Sequence, residues 1–146
     1  MLGVITMIQI FCSKRGSGKS KKLIEMANEH SSTASGHVVY LDDDNGPMYS
    51  LERSIRFVST KDYKLKSLDS LCGFLCGILS NDYDISEIYI DGLANIIKVD
   101  GEKDGEAFGI LDDLCSRFNI DIYININEEA YNPVPDYVKK YIAEVK

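Results

Sequence analysis

Five short runs rich in β-branched and aromatic residues alternate with stretches long enough to form helices, and this alternation restricts the possible folds more than any other feature. The runs are residues 5–12 (ITMIQIFC), 37–41 (HVVYL), 55–59 (IRFVS), 88–91 (IYID) and 120–127 (IDIYININ). Short apolar runs bounded by turn residues read as buried strands. Leu68, Leu71, Cys72, Leu75, Ile78 and Leu79 recur at helical period and predict a helix over residues 67–80. Phe108, Leu111, Leu114, Cys115 and Phe118 do the same over 108–118. Further helices are expected over residues 18–30 and 48–53, and a last one over 136–142 behind Pro133 and Pro135. Residues 98–105 (KVDGEKDG) read as a charged loop, and Gly73 and Gly77 suggest that their helix packs closely on the sheet. Strands joined through helices pair in parallel and need cover on both faces. The expectation is therefore an α/β fold: a three-layer α/β/α domain over residues 1–146, with a minimal, mostly parallel sheet of about five strands.

The first strand runs into residues 13–20, SKRGSGKS, and then into a helix. This is the phosphate-loop pattern G-x-x-x-x-G-K-[ST] with Ser13 in place of the first glycine. Such a loop works because successive backbone N–H groups turn inward at a helix N-terminus and meet phosphate oxygens. Ser13, Lys14, Arg15, Gly16, Ser17 and Gly18 would form that wall, with Gly16 and Gly18 letting the backbone approach closely. Lys19 offers a point charge to the β- and γ-phosphates, the Ser20 hydroxyl suits Mg²⁺, and Lys21 is the next cation along the helix. The first glycine opens the loop and has the weakest physical claim of the set. A Mg²⁺–nucleotide site also needs a carboxylate at the end of a neighbouring strand. Asp91 ends IYID, and Asp42 ends HVVYL at the head of the turn DDDNGP.

These features resemble RecA-like P-loop ATPases, and the resemblance covers most of the chain. Tyr89-Ile90-Asp91-Gly92-Leu93 is similar to the family's Walker B strand. Leu41-Asp42-Asp43-Asp44 is similar to the end of its second strand, which implies that Asp44 stands where a glutamate activates the attacking water. Residues 108–127 look like the unit whose strand ends in γ-phosphate sensors, which implies that role for Asn125 or Asn127. The sequence looks like the small bacterial ATP-binding proteins of this type that are sometimes labelled as the twitching-motility ATPase. The implied function is a slow Mg²⁺-dependent ATPase whose ATP state controls contact with a partner. By the family's topology the phosphate-loop strand lies at or near a sheet edge, which invites pairing with a second copy or another protein.

Other readings compete. A nucleotide-binding regulatory or scaffold protein without hydrolysis agrees with the aspartate in place of glutamate and with the lack of an evident arginine finger; Arg53 and Arg56 are candidates for that role across a dimer. A dimeric ATPase with a deviant Walker A motif would use Lys14 as its signature lysine. A nucleoside kinase-like phosphotransferase shares GSGKSKK but would carry zinc-binding cysteine pairs. No N-K-x-D motif is present, so ATP is favoured over GTP. The net charge of −7 disfavours a broad nucleic-acid surface. No stretch reaches the roughly 18 apolar residues of a membrane span. The opening MLGVITMIQIF lacks a basic segment and cleavage site, so the protein is expected to be cytoplasmic. Cys12, Cys72, Cys76 and Cys115 all sit in apolar stretches and are expected to be reduced, buried thiols.

Overall fold

Side-chain alternation within each strand decides which layer of the fold its residues join. The computed structural model describes residues 7–143. In it the strands are β1 (Ile8–Ser13), β2 (His37–Asp42), β3 (Ile55–Ser59), β4 (Ile85–Asp91) and β5 (Asp121–Asn127). The helices are α1 (Lys19–Ser31), α2 (Leu68–Asn81), α3 (Leu93–Ile96), α4 (Asp104–Phe118) and α5 (Asp136–Lys139). The five strands form one sheet in the order β1-β5-β4-β2-β3, and every pair is parallel.

Val38, Tyr40, Tyr89 and Tyr123 point to the face covered by α1, where they meet Leu23 and Ala27. Val39, Leu41, Ile88, Ile90, Ile122 and Ile124 point to the opposite face, under Leu71, Leu75, Phe108 and Leu111. Burying each of these aliphatic side chains contributes about 1.5–3 kcal/mol. On the α1 face the aromatic rings form a ladder across adjacent strands. Ring centroids lie 4.8 Å apart for Tyr89–Tyr123, 5.9 Å for Tyr40–Tyr89 and 6.5 Å for Tyr40–Phe57. The tyrosines are direct register partners: Tyr40 opposes Tyr89, and Tyr89 opposes Tyr123. Such cross-strand aromatic pairs fix register as well as adding stability.

Several local expectations are revised. Residues 5 and 6 of the first expected strand lie outside the described residues. The expected helix over 48–53 is instead a 3₁₀ turn at Gly46–Ser50, started by Pro47 and ended where Leu51 becomes extended. The charged loop yields its last residues to α4, which starts at Asp104. There the Asp104 carboxylate accepts the Asp100 N–H at 2.8 Å and the buried Tyr131 hydroxyl at 2.6 Å. Gly73 and Gly77 do not pack on the sheet. A Cβ at either would meet nothing within 4 Å, because the buried stripe of α2 runs through Leu68, Leu71, Leu75 and Leu79.

Cys72 and Cys115 are buried, and burial pushes both thiols up to about 12. Cys12 is half-buried, whereas Cys76, beside the α2 stripe, is exposed and departs from the expectation. β1 is an edge strand as anticipated, but its centre is not bare. Tyr141 accepts the Ile10 N–H at 2.8 Å, and Ala143 donates to the Ile10 carbonyl at 2.9 Å. That turn of the chain toward β1 is why α5 stops at Lys139 rather than continuing to residue 142. No helix among the described residues is long and apolar enough to cross a membrane.

Candidate functional site

Three neighbouring strands share one local pattern: Tyr40-Leu41-Asp42, Tyr89-Ile90-Asp91 and Tyr123-Ile124-Asn125. The tyrosines pair in register, so the two-residue period puts Asp42, Asp91 and Asn125 on the same face, one step nearer the strands' C-terminal ends. That end of an open parallel sheet is where ligands bind. Asp91, only 2% exposed, is the centre of the resulting cluster. Its Oδ1 accepts the Ser20 hydroxyl at 2.9 Å and the Asn125 side-chain amide at 2.8 Å. Its Oδ2 accepts the Tyr40 hydroxyl at 2.6 Å. Asn125, fully buried, also accepts the Gly92 N–H through its carbonyl oxygen. A carboxylate this deep is tolerated because three donors replace its water.

The glycine-rich loop delivers Ser20 to this cluster. Gly16 (φ +79°) and Gly18 (φ +82°) both occupy the left-handed region, which side chains other than glycine's make costly. Ser17 donates its N–H to the Lys14 carbonyl at 3.2 Å, and the Ser13 and Ser17 hydroxyls lie 2.9 Å apart. Gly18 caps α1 with no side-chain hydrogen bond, and the first turn of α1 holds no acidic residue. α2 shows the contrast: Ser67 accepts the Ser70 N–H at 3.2 Å, and Asp69 lies in its first turn. The first-turn backbone N–H groups of α1 therefore have no cap or acidic residue from α1 itself, which leaves them available to an anion.

A cavity of about 320 Å³ opens between the loop and the strand ends. Arg15, Lys19 and Ser20 line it together with Asp42, Asp44, Asp91, Asn125 and Asn127. Eight of the residues singled out from sequence thus share one cavity. Ser13, Ser17 and the other flank of Lys19 line a second space of about 460 Å³ against Ile142 and Ala143. Lys14 and Lys21 are exposed and line neither. Tyr40, Gly92 and Asn95 were not anticipated; the repeated Tyr-aliphatic-Asp/Asn pattern is the signal that identifies Tyr40.

Asp42 opposes Asp91 across the β2–β4 pair. Burial, with the Asp91 charge adding to it, pushes its carboxyl up to about 7 from 3.8. Because the folded value lies above the unfolded one, the charged form costs stability. That cost grows from about pH 4 to pH 7 and levels off above. Asp42→Asn, whose amide oxygen can still accept the Asp44 N–H that Asp42 holds at 3.1 Å, removes it. Without nucleotide or divalent cation, the variant is expected to be about 1–2 kcal/mol more stable than wild type at pH 8, after discounting for partial exposure. The gap should narrow toward pH 5, as read by thermal melts across that range.

The donor set suits a hard cation: a hydroxyl and carboxylates line one cavity, and Mg²⁺ takes oxygen ligands. The side-chain oxygen of Asn127, buried without a hydrogen-bond partner, is a further oxygen of the cavity left for a ligand. Ser20, Asp91 and Asp42 therefore fit the metal implied by the sequence.

The parallel five-stranded sheet, layered between α1 and the remaining helices, is a RecA-like three-layer α/β/α fold. Among solved structures, the chain is similar to the flagellar accessory protein FlaH from Methanocaldococcus jannaschii, with a TM-score of 0.59 and 14% identity. The match covers 92% of this chain and 65% of that one, so this chain spans just under two thirds of its neighbour's length. No protein-family model matches the sequence, and no curated protein is similar to it.

Proposed function

We propose that this chain is a cytoplasmic P-loop protein that binds Mg²⁺-ATP on the loop of residues 13–20 and hydrolyses it slowly, its nucleotide state controlling contact with a partner. The observation that carries this reading is the 2.9 Å bond from Ser20 to Asp91, which joins the glycine-rich loop to the end of a buried strand beside an uncapped helix. The loop amides and Lys19 hold the phosphates, while Asn125 and Tyr40 hold Asp91 in place. Ser20, Asp91 and Asp42 hold the Mg²⁺, which when bound supplies charge neutralisation to the β- and γ-phosphate oxygens. Asn127 senses the terminal phosphate and Asp44 orients the attacking water. The partner surface is the neighbouring 3₁₀ turn, where Met48 and Tyr49 are 44% and 83% exposed, a few residues from Asp44.

A non-hydrolysing nucleotide-binding regulator is the second reading. Asp44 Oδ1 already accepts the Gly46 N–H at 3.2 Å, which ties up part of the carboxylate needed to orient water. Phosphate release by Asp44→Asn separates the two. A hydrolysing protein is expected to lose about 10²–10⁴-fold in turnover while still binding Mg²⁺-ATP. A regulator shows no turnover above background in wild type or variant, and the ATPase reading is then withdrawn.

A further inference from the structure

We infer that Arg15 reads the terminal phosphate, so that this side chain makes the site prefer a nucleoside triphosphate to a diphosphate. The inference rests on the nucleotide reading above and adds a specificity residue to it.

Three cavities lie in sequence along the glycine-rich loop. Lys19 lines both the 460 Å³ space beside Ile142 and Ala143 and the 320 Å³ cavity that contains Asp91. Arg15 and Asn127 line that second cavity and also a third, of about 360 Å³, that continues past them to Glu129. Lys19 therefore borders both the first and the central cavity, and Arg15 both the central and the third. In the proposed site the uncapped α1 terminus and Lys19 hold the β-phosphate, and Lys19 also reaches the γ-phosphate from one side. The carboxylates suited to a cation lie in the central cavity, so the chain lengthens toward Arg15. A diphosphate ends short of it; the third phosphate arrives there.

Charge makes the same assignment. Around the central cavity, Asp42, Asp44 and Asp91 face two cations, Lys19 and Arg15. A γ-phosphate brings further negative charge toward three carboxylates and needs a second positive group at that end. Arg15 is exposed and has no ion pair or cation–ring contact among the described residues, so its guanidinium is uncommitted. A guanidinium also presents its donors as a planar fork matched to two phosphate oxygens, which a lysine ammonium cannot do.

Calorimetric titration of Mg²⁺-ATP and Mg²⁺-ADP into wild type, Arg15→Ala and Arg15→Lys tests this. Arg15→Ala is expected to weaken ATP binding about 10- to 100-fold while ADP binding changes less than about threefold. Arg15→Lys should recover only part of the loss, and thermal melts of both variants should match wild type. Equal losses for the two nucleotides, or no loss for ATP, overturn the assignment while leaving the nucleotide site standing. Wild-type protein that binds neither nucleotide overturns the site and this assignment together.

Discussion

Tyr89→Ala is expected to lower the unfolding free energy by about 3–5 kcal/mol, the range for removing a large ring from a packed core. The Tyr89 ring is fully buried, stacked between Tyr40 at 13° and Tyr123 at 22° interplanar angle. Truncation opens a void between α1 and the sheet that stiff strands on both sides cannot close. It also deprives a second group: the Tyr89 hydroxyl donates to Glu87 Oε1 at 2.6 Å, and Glu87 is only 8% exposed. His30 Nδ1 stays within 2.9 Å of Glu87, so the carboxylate keeps one neighbour and the loss stays within the stated range. Tyr89→Phe isolates the hydroxyl and should cost only about 1 kcal/mol. Chemical denaturation of the two variants checks both figures. A Tyr89→Ala loss below that of Tyr89→Phe would mean that the ladder does not support the sheet.

The strands were legible in the sequence because a buried parallel strand is a dense apolar run with sharp ends, and all five runs form strands. The loop was legible because few other needs place glycines at 16 and 18 directly before Lys-Ser, and both adopt the left-handed backbone that such a turn requires. Asp91 was legible as a polar residue ending an apolar run. Its partners were not. Tyr40 lies 51 positions away in the chain and reaches Asp91 only through the β2–β4 register, which strand order decides and local pattern does not. Asn125 was read only as a sensor, yet its amide is committed to Asp91 and Gly92. Gly73 and Gly77 misled because small residues on a helix signal close packing only on its buried face, and here they lie outside it. The tail beside β1 was missed because pairing at a single residue, Ile10, leaves no periodic trace.

Lys19→Ala is expected to abolish measurable Mg²⁺-ATP binding, the largest functional effect of any single change proposed. Lys19 is the first residue of α1 and stands where two of the cavities along the loop meet, so its charge faces a ligand in either. Hydrogen bonds from a charged donor contribute about 1.5–3 kcal/mol each, and an ammonium carries three donors. Losing them in a cavity that three aspartates line turns the local field against phosphate. The fold should survive, since Lys19 forms no ion pair among the described residues. The most direct measurement is therefore calorimetric titration of Mg²⁺-ATP into wild type and into Lys19→Ala. Saturable binding by wild type that the folded variant lacks is the predicted result. No binding by wild type at millimolar nucleotide, or equal binding by both proteins, would contradict the account.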